Sequence, residues 1–123
     1  MAAIQPVDPD RMSFVIDRDF RVRTQEHKPG PPERFDGLQV GIAEMHTAPP
    51  HGGEMHPDGD EVIYIISGRV RVLGDSNPDT PLELGAGDAC IIPKGEWHNI
   101  EILEPVKLIY ITPGPGGEHR PMK

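Results

Sequence analysis

Three features of this 123-residue chain predict an antiparallel all-β fold, a sandwich or a barrel. Its apolar runs are short, and several alternate with polar residues at the strand period. Fourteen glycines and fifteen prolines fall mostly singly or in pairs between those runs, which punctuates strands and suits helices poorly. No segment sustains a helical period over a useful length, and the chain length fits one domain with one core.

The elements follow in order. Residues 1–12 read as an arm, and "SFVID" (13–17) and "FRVR" (20–23) read as short edge strands. "TQEHKPGPPERFDG" (24–37) is a polar, proline-rich loop with room for a helical turn near Glu33–Asp36. "LQVGIAEMH" (38–46) is a strand with Leu38, Val40 and Ile42 on one face, and "EMH" (54–56) begins another extended piece. Pro57, Asp58 and Gly59 make a turn. "EVIYIIS" (61–67), with five consecutive apolar residues, predicts a strand buried on both faces, and Gly68 predicts a hairpin into the alternating "RVRVL" (69–73). "LEL", "ACIIP" (89–93), "WHNIEIL" (97–103) and "VKLIYIT" (106–112) complete the set. The resulting division is an N-terminal arm and loop (1–37), a barrel body (38–112) and a flexible tail (113–123).

Composition narrows the function classes. Twelve Lys and Arg against twenty Asp and Glu give a net charge of −8, which disfavours nucleic-acid and membrane-surface binding. No apolar run reaches bilayer length and the first ten residues lack a signal pattern. The single Cys90 forms no internal disulfide and suits a reducing compartment, so the expected location is the cytoplasm.

The stretch "EMHPDGDE" (54–61) carries the chemistry. Glu54 and His56, two apart on a strand, point the same way, and Glu61 opens the next strand beyond the turn. His98 shares a face with Ile100 and Ile102, and an inward imidazole among isoleucines needs a polar partner. A divalent cation held by Glu54, His56, Glu61 and His98 would satisfy all four groups at once, and this donor mix suits Mn²⁺, Fe²⁺ or Zn²⁺. The plainer alternative is a polar barrel mouth whose carboxylates meet arginine or water.

The sequence resembles the cupins, small antiparallel barrels marked by two motifs. In the first, G-x5-H-x-H-x3–4-E-x6-G, His56, Glu61 and Gly68 fit, whereas Glu54 stands at the first histidine and Ala48 at the leading glycine. In the second, G-x5-P-x-G-x2-H-x3-N, Gly87, Pro93, Gly95 and His98 fit at every interval and Ile102 replaces the asparagine. The resemblance covers roughly residues 48–102. It implies a double-stranded β-helix (jelly-roll barrel), a metal held by His56, Glu61 and His98, and pairing of two barrels as a homodimer through their sheets. Glu54 would chelate too, but as a second anionic ligand it leaves the ion less electrophilic.

Two function classes stay open: a metal-dependent enzyme of dioxygenase, isomerase or lyase type acting on a small oxygenated molecule, and a non-catalytic barrel that binds or senses a small ligand. If the reaction moves a proton, Glu54 or Glu61 is the candidate base. His46, His51, Tyr64 and Trp97 are candidates for a substrate pocket, though a rim position for His51 and ordinary core packing for Tyr64 and Trp97 explain them as well. Asp60 is a weaker ligand candidate than Glu61, because the spacing to Gly68 selects Glu61. Lys94 and Glu96 read as turn residues near the mouth, and Cys90 as a buried, inert thiol.

Overall fold

The computed structural model describes residues 3–28 and 33–122. It contains nine strands: β1 (Met12–Asp17), β2 (Val22–Glu26), β3 (Gly37–Met45), β4 (Gly53–Met55), β5 (Glu61–Gly74), β6 (Leu82–Gly85), β7 (Ala89–Ile92), β8 (His98–Gly114) and β9 (Glu118–Arg120). Every pairing is antiparallel. Strands β2-β1-β3-β8-β4-β9 follow one another, and β5 joins β8 to β6 and β7. No helix occurs among the described residues, which is the all-β architecture the punctuation predicts. Part of the expected 24–37 loop, residues 29–32, lies outside the described residues, and Glu33–Asp36 forms no helical turn.

The two long strands organise the fold. β5 and β8 run against each other from Val62↔Ile111 to Gly74↔His98, with register shifts where Ile65–Val70 faces Ile102–Leu108. Gly68 is therefore not a hairpin, as its sequence context predicts, but a bend inside one continuous strand. It sits at φ 87°, and a Cβ there would collide with the carbonyl oxygen of Pro105 on β8. Pro105 has no N–H to offer the ladder, so the irregularity falls where pairing is interrupted anyway. We expect Gly68→Ala to destabilise the protein by at least about 2 kcal/mol, combining left-handed strain with the collision. The check is a lower midpoint in urea at unchanged slope.

Inward residues of β5, β6, β7 and β8 form the core, centred on Ile63, Ile65, Val70, Leu84, Ile92 and Leu108. The expectation of a β5 buried on both faces is corrected. Ile63 and Ile65 are buried, whereas Tyr64 is 44% and Ile66 38% exposed. The apolar run arises because the outer face is apolar as well. Paired residues share a face, so Ile91, Val62, Ile111, Val40 and Phe14 line up across five strands, with Tyr64, Ile109 and Ile42 beside them.

Two boundaries also differ. β2 covers Val22–Glu26 rather than 20–23, because Phe20 adopts φ 68° inside the turn that reverses the chain after β1. The tail, expected to be frayed, instead extends β8 to Gly114 and then supplies β9, which pairs with β4 from Gly53↔Arg120 to Met55↔Glu118. Arg120 holds that strand down: its guanidinium reaches both Asp75 oxygens at 2.7 and 3.0 Å and stacks 4.6 Å from the Trp97 ring centroid.

Candidate metal centre

The short β4 places Glu54 directly opposite His98 on one side and His119 on the other. In an antiparallel ladder opposed residues share a face, so these three side chains form one row, running from the buried His98 through the half-buried Glu54 to the exposed His119. His56, two residues beyond Glu54, points the same way. Glu61 opens β5 next to Thr112, whose hydroxyl donates to Glu61 Oε2 at 2.6 Å. The turn Pro93–Glu96, with Gly95 at φ 81°, lets His98 start β8 facing inward. The fixed glycine and histidine of the second motif thus describe one turn and the ligand it presents.

The four groups converge. His98 Nε2 lies 3.2 Å from Glu54 Oε1 and 3.3 Å from Glu61 Oε1. His56 Nε2 lies 3.3 Å from Glu61 Oε2 and 3.7 Å from Glu54 Oε1. Donors about 2.0–2.2 Å from a common ion sit roughly 3.0–3.5 Å apart, so the spacing fits one small cation. The hydrogen bonds do not close without one. His56 Nδ1 is buried without a hydrogen-bond partner, and the buried His56 Nε2 and Glu61 Oε1 have only the ion-pair contacts above, none with hydrogen-bond geometry. A native interior rarely leaves such atoms unpaired. His98 is prepared for ligation: its Nδ1 donates to the Glu96 carbonyl at 3.0 Å, so Nε2, 3.2 Å from Glu54 Oε1, is the nitrogen turned to the cluster.

Electrostatics carries the same signature. Burial alone would disfavour charge on every member. Against it, the His56 and His98 partners hold Glu54 well below the ordinary carboxylate range, and His56, His98 and Thr112 hold Glu61 below it. Burial likewise opposes charge on the imidazoles, but Glu54 and then Glu61 raise His56 to about 9 and His98 to about 10. The metal-free cluster is thus two carboxylates neutralised by two imidazolium protons, the charge balance a divalent cation would supply.

The cluster lies between two cavities. An inner one of about 220 Å³ is walled by Met45, Ile63, Ile100, Leu108 and Tyr110, and an outer one of about 390 Å³ by Arg34, Phe35, Gln39 and His119. Both touch Glu54, His56 and Thr112. A larger hollow of about 530 Å³ at the edge of β3, around Asp10, His27 and Tyr110, touches none of the four.

The other sequence candidates separate clearly. His51 joins the site from outside, with Nε2 3.9 Å from Glu54 Oε2, and burial lowers its pKa. His46 stands exposed in the bend after β3, away from the four. Tyr64 faces outward, and Trp97 lies beneath Arg120 rather than along either cavity. Asp60 is occupied elsewhere, accepting the Lys94 N–H at 2.7 Å. Glu96 accepts the Ser76 N–H at 3.0 Å, and burial pushes the Cys90 thiol up. The sequence reading missed His119, Thr112 and Tyr110. Thr112 and Tyr110 share a strand face in "LIYIT", a signal read only as core, whereas nothing local marks the three-residue β9.

Comparison with known proteins agrees with this geometry. The cupin-domain family profile matches residues 43–112, more than half of the chain. A Bacillus halodurans protein of known structure, BH2720, is similar over 71% of this chain and 72% of its own, at 29% identity and TM-score 0.55. A cupin-2 domain protein from Shewanella frigidimarina is similar over 73% and 83%, at 24% identity and TM-score 0.55. Oxalate decarboxylase from Bacillus subtilis, a protein with Mn(II) centres, shares the fold at 21% identity and TM-score 0.57, over 69% of this chain but 24% of that one. An uncharacterised mimivirus protein is 43% identical over 47 residues, which are 38% of this chain and 29% of that relative. With the profile matched over more than half of the chain and the barrel in place, the chain belongs to the cupin family.

Proposed function

We propose that this cupin is a metal-dependent enzyme acting on a small oxygenated molecule, with the ion held by Glu54, His56, Glu61 and His98. The observation that carries the reading is the set of buried atoms on His56 and Glu61 that make no hydrogen bond, around a centre whose donor spacings suit one cation. A bound Mn²⁺, Fe²⁺ or Zn²⁺ would supply Lewis-acid polarisation of a substrate oxygen.

The chain's own groups do the rest. Thr112 and the Glu96 carbonyl fix the orientation of Glu61 and His98. The outer cavity opens onto the cluster and brings Arg34 and His119 to the side from which a substrate would arrive. Two carboxylate ligands cancel the charge of a divalent ion, and the Glu33 carboxylate on the same wall is engaged by Lys28 and Gln25, so Arg34 is the arginine of this cavity placed to attract an anionic group. A small carboxylic or hydroxy acid fits this arrangement better than a neutral apolar molecule. Both glutamates are held below the ordinary carboxylate range, which suits ligands and makes them weak bases. A panel of small carboxylic acids offered to Mn-, Fe- and Zn-loaded protein, with oxygen uptake and product release recorded, tests the reading. Turnover that needs the ion supports it, whereas ion binding without turnover of any acid leaves a binding module instead.

The outer apolar rows supply the second part of the proposal, a homodimer formed through the β7-β5-β8-β3-β1 face. Ile91, 69% exposed beside Val62, is its most prominent residue. Light scattering on the eluting protein is expected to give twice the chain mass, falling to one chain in Ile91→Asp. A monomeric wild type contradicts this part.

A further inference from the structure

The four-residue cluster uses only half of Glu54. Oε1 faces His98 and His56, while Oε2 turns outward, 3.4 Å from His119 Nε2 and 3.9 Å from His51 Nε2. The two outer rings are stacked, with centroids 4.6 Å apart and planes 20° from parallel. His51 Nδ1 accepts the Gly53 N–H at 3.2 Å, so a neutral His51 carries its proton on Nε2, the nitrogen that faces Glu54. His119 sits in register opposite Glu54 on β9. Its neighbour Arg120 anchors that strand through Asp75, Trp97 and the Gly52 N–H donated to its carbonyl.

We propose that His119 is a positioning residue, an N–H donor steadied by its stacking on His51, that holds Glu54 Oε2 so that Oε1 alone is presented to the metal. The inference rests on the metal reading above. It follows from the identity of residue 54. A histidine there would offer the ion one nitrogen on a ring with two torsions. A glutamate has a longer, freer side chain and two equivalent oxygens, so without outside partners it can swing to solvent or bind through both. A donor on the outer oxygen removes both options. His51, Glu54 and His119 also approach closely enough to be read as a second metal trio. The Gly53 N–H argues otherwise, because it places the His51 proton on the very nitrogen that would have to ligate.

The tail, expected to be flexible, therefore reaches the outer edge of the site. His119→Phe keeps the stacked ring and removes the donor, and is expected to weaken Mn²⁺ or Zn²⁺ binding by about 10- to 100-fold in a chelator competition. In a Glu54→His background, where no outer oxygen exists, the same change is expected to alter affinity by less than about 2-fold on the same reasoning. Unchanged affinity in the first case, or equal loss in both backgrounds, overturns the proposal. So does a wild type that loads two ions and falls to one in His119→Phe, since the pair would then be ligands. The metal-free protein gives an independent reading, which stands even if no ion binds. Long-range ¹H–¹⁵N spectra are expected to show the His119 ring with its proton on Nε2 and to change for His119 in Glu54→Ala, while His51 keeps the tautomer set by the Gly53 N–H. A His119 ring averaging between tautomers as in free histidine would refute the bond to Glu54.

Discussion

His98→Ala is expected to abolish stoichiometric metal binding and, in the metal-free protein, to cost about 3–5 kcal/mol of stability at neutral pH. Both effects have one origin. His98 is 2% exposed, its Nε2 lies within 3.3 Å of both carboxylates, and no other nitrogen approaches both Glu54 Oε1 and Glu61 Oε1 from β8. Removing it takes away a quarter of the donor set and leaves the buried Glu61 and half-buried Glu54 carboxylates together with only His56 between them. Since loss even of a group that merely orients a ligand costs about 10- to 100-fold in affinity, loss of the ligand itself should exceed about 100-fold. Metal analysis after dialysis and a chelator titration read the first effect, and denaturation of the stripped protein reads the second. A variant that retains one ion per chain, or a stripped variant as stable as wild type, contradicts the assignment.

The second large effect is on pH dependence, and the metal-free and metal-loaded proteins should respond in opposite ways. In the free cluster His56 and His98 titrate near 9 and 10, above the ordinary histidine value of about 6.5. The folded state then holds protons that the unfolded state releases. Their contribution is complete below about pH 6.5 and fades as pH rises through about 9 to 10. Glu54 and Glu61, shifted down, contribute above the ordinary glutamate value and lose that contribution as pH falls through their folded values. Stripped protein should therefore be most stable in mildly acidic solution and melt several degrees lower at pH 9 than at pH 6. Metal must displace the two imidazole protons, so binding at pH 7 should release close to two protons and tighten as pH rises. Calorimetry in buffers of different ionisation enthalpy counts those protons. Metal-free melting independent of pH from 6 to 9, or binding without proton release, would contradict this charge balance.

Much of this was legible in the chain itself. Strand alternation shows which way Glu54, His56 and His98 point, and the interval from Gly87 to His98 encodes a turn and the ligand it presents. What was illegible has identifiable physical causes. Gly68 reads as a hairpin because local sequence cannot distinguish a reversal from a bend forced by Pro105, nearly forty residues later. The apolar run of β5 reads as doubly buried because an apolar outer face and a covered one look alike from within one strand. Three-residue β9 carries no period at all. Its place depends on Arg120 finding Asp75 and Trp97, a tertiary event, and with it came the unexpected His119. Tyr64 and Tyr110 exchange roles for a similar reason: they lie on paired strands but on opposite faces, and only the register of Ile63↔Tyr110 shows which one lines the cavity.

The measurement that bears most directly on the central claim is anomalous diffraction at the manganese edge from crystals of the Mn²⁺-loaded protein. One strong peak per chain is expected, in direct contact with Glu54 Oε1, His56 Nε2, a Glu61 oxygen and His98 Nε2. A peak coordinated by other residues, or no peak from crystals equilibrated in excess Mn²⁺, would contradict the claim that these four side chains form a metal centre.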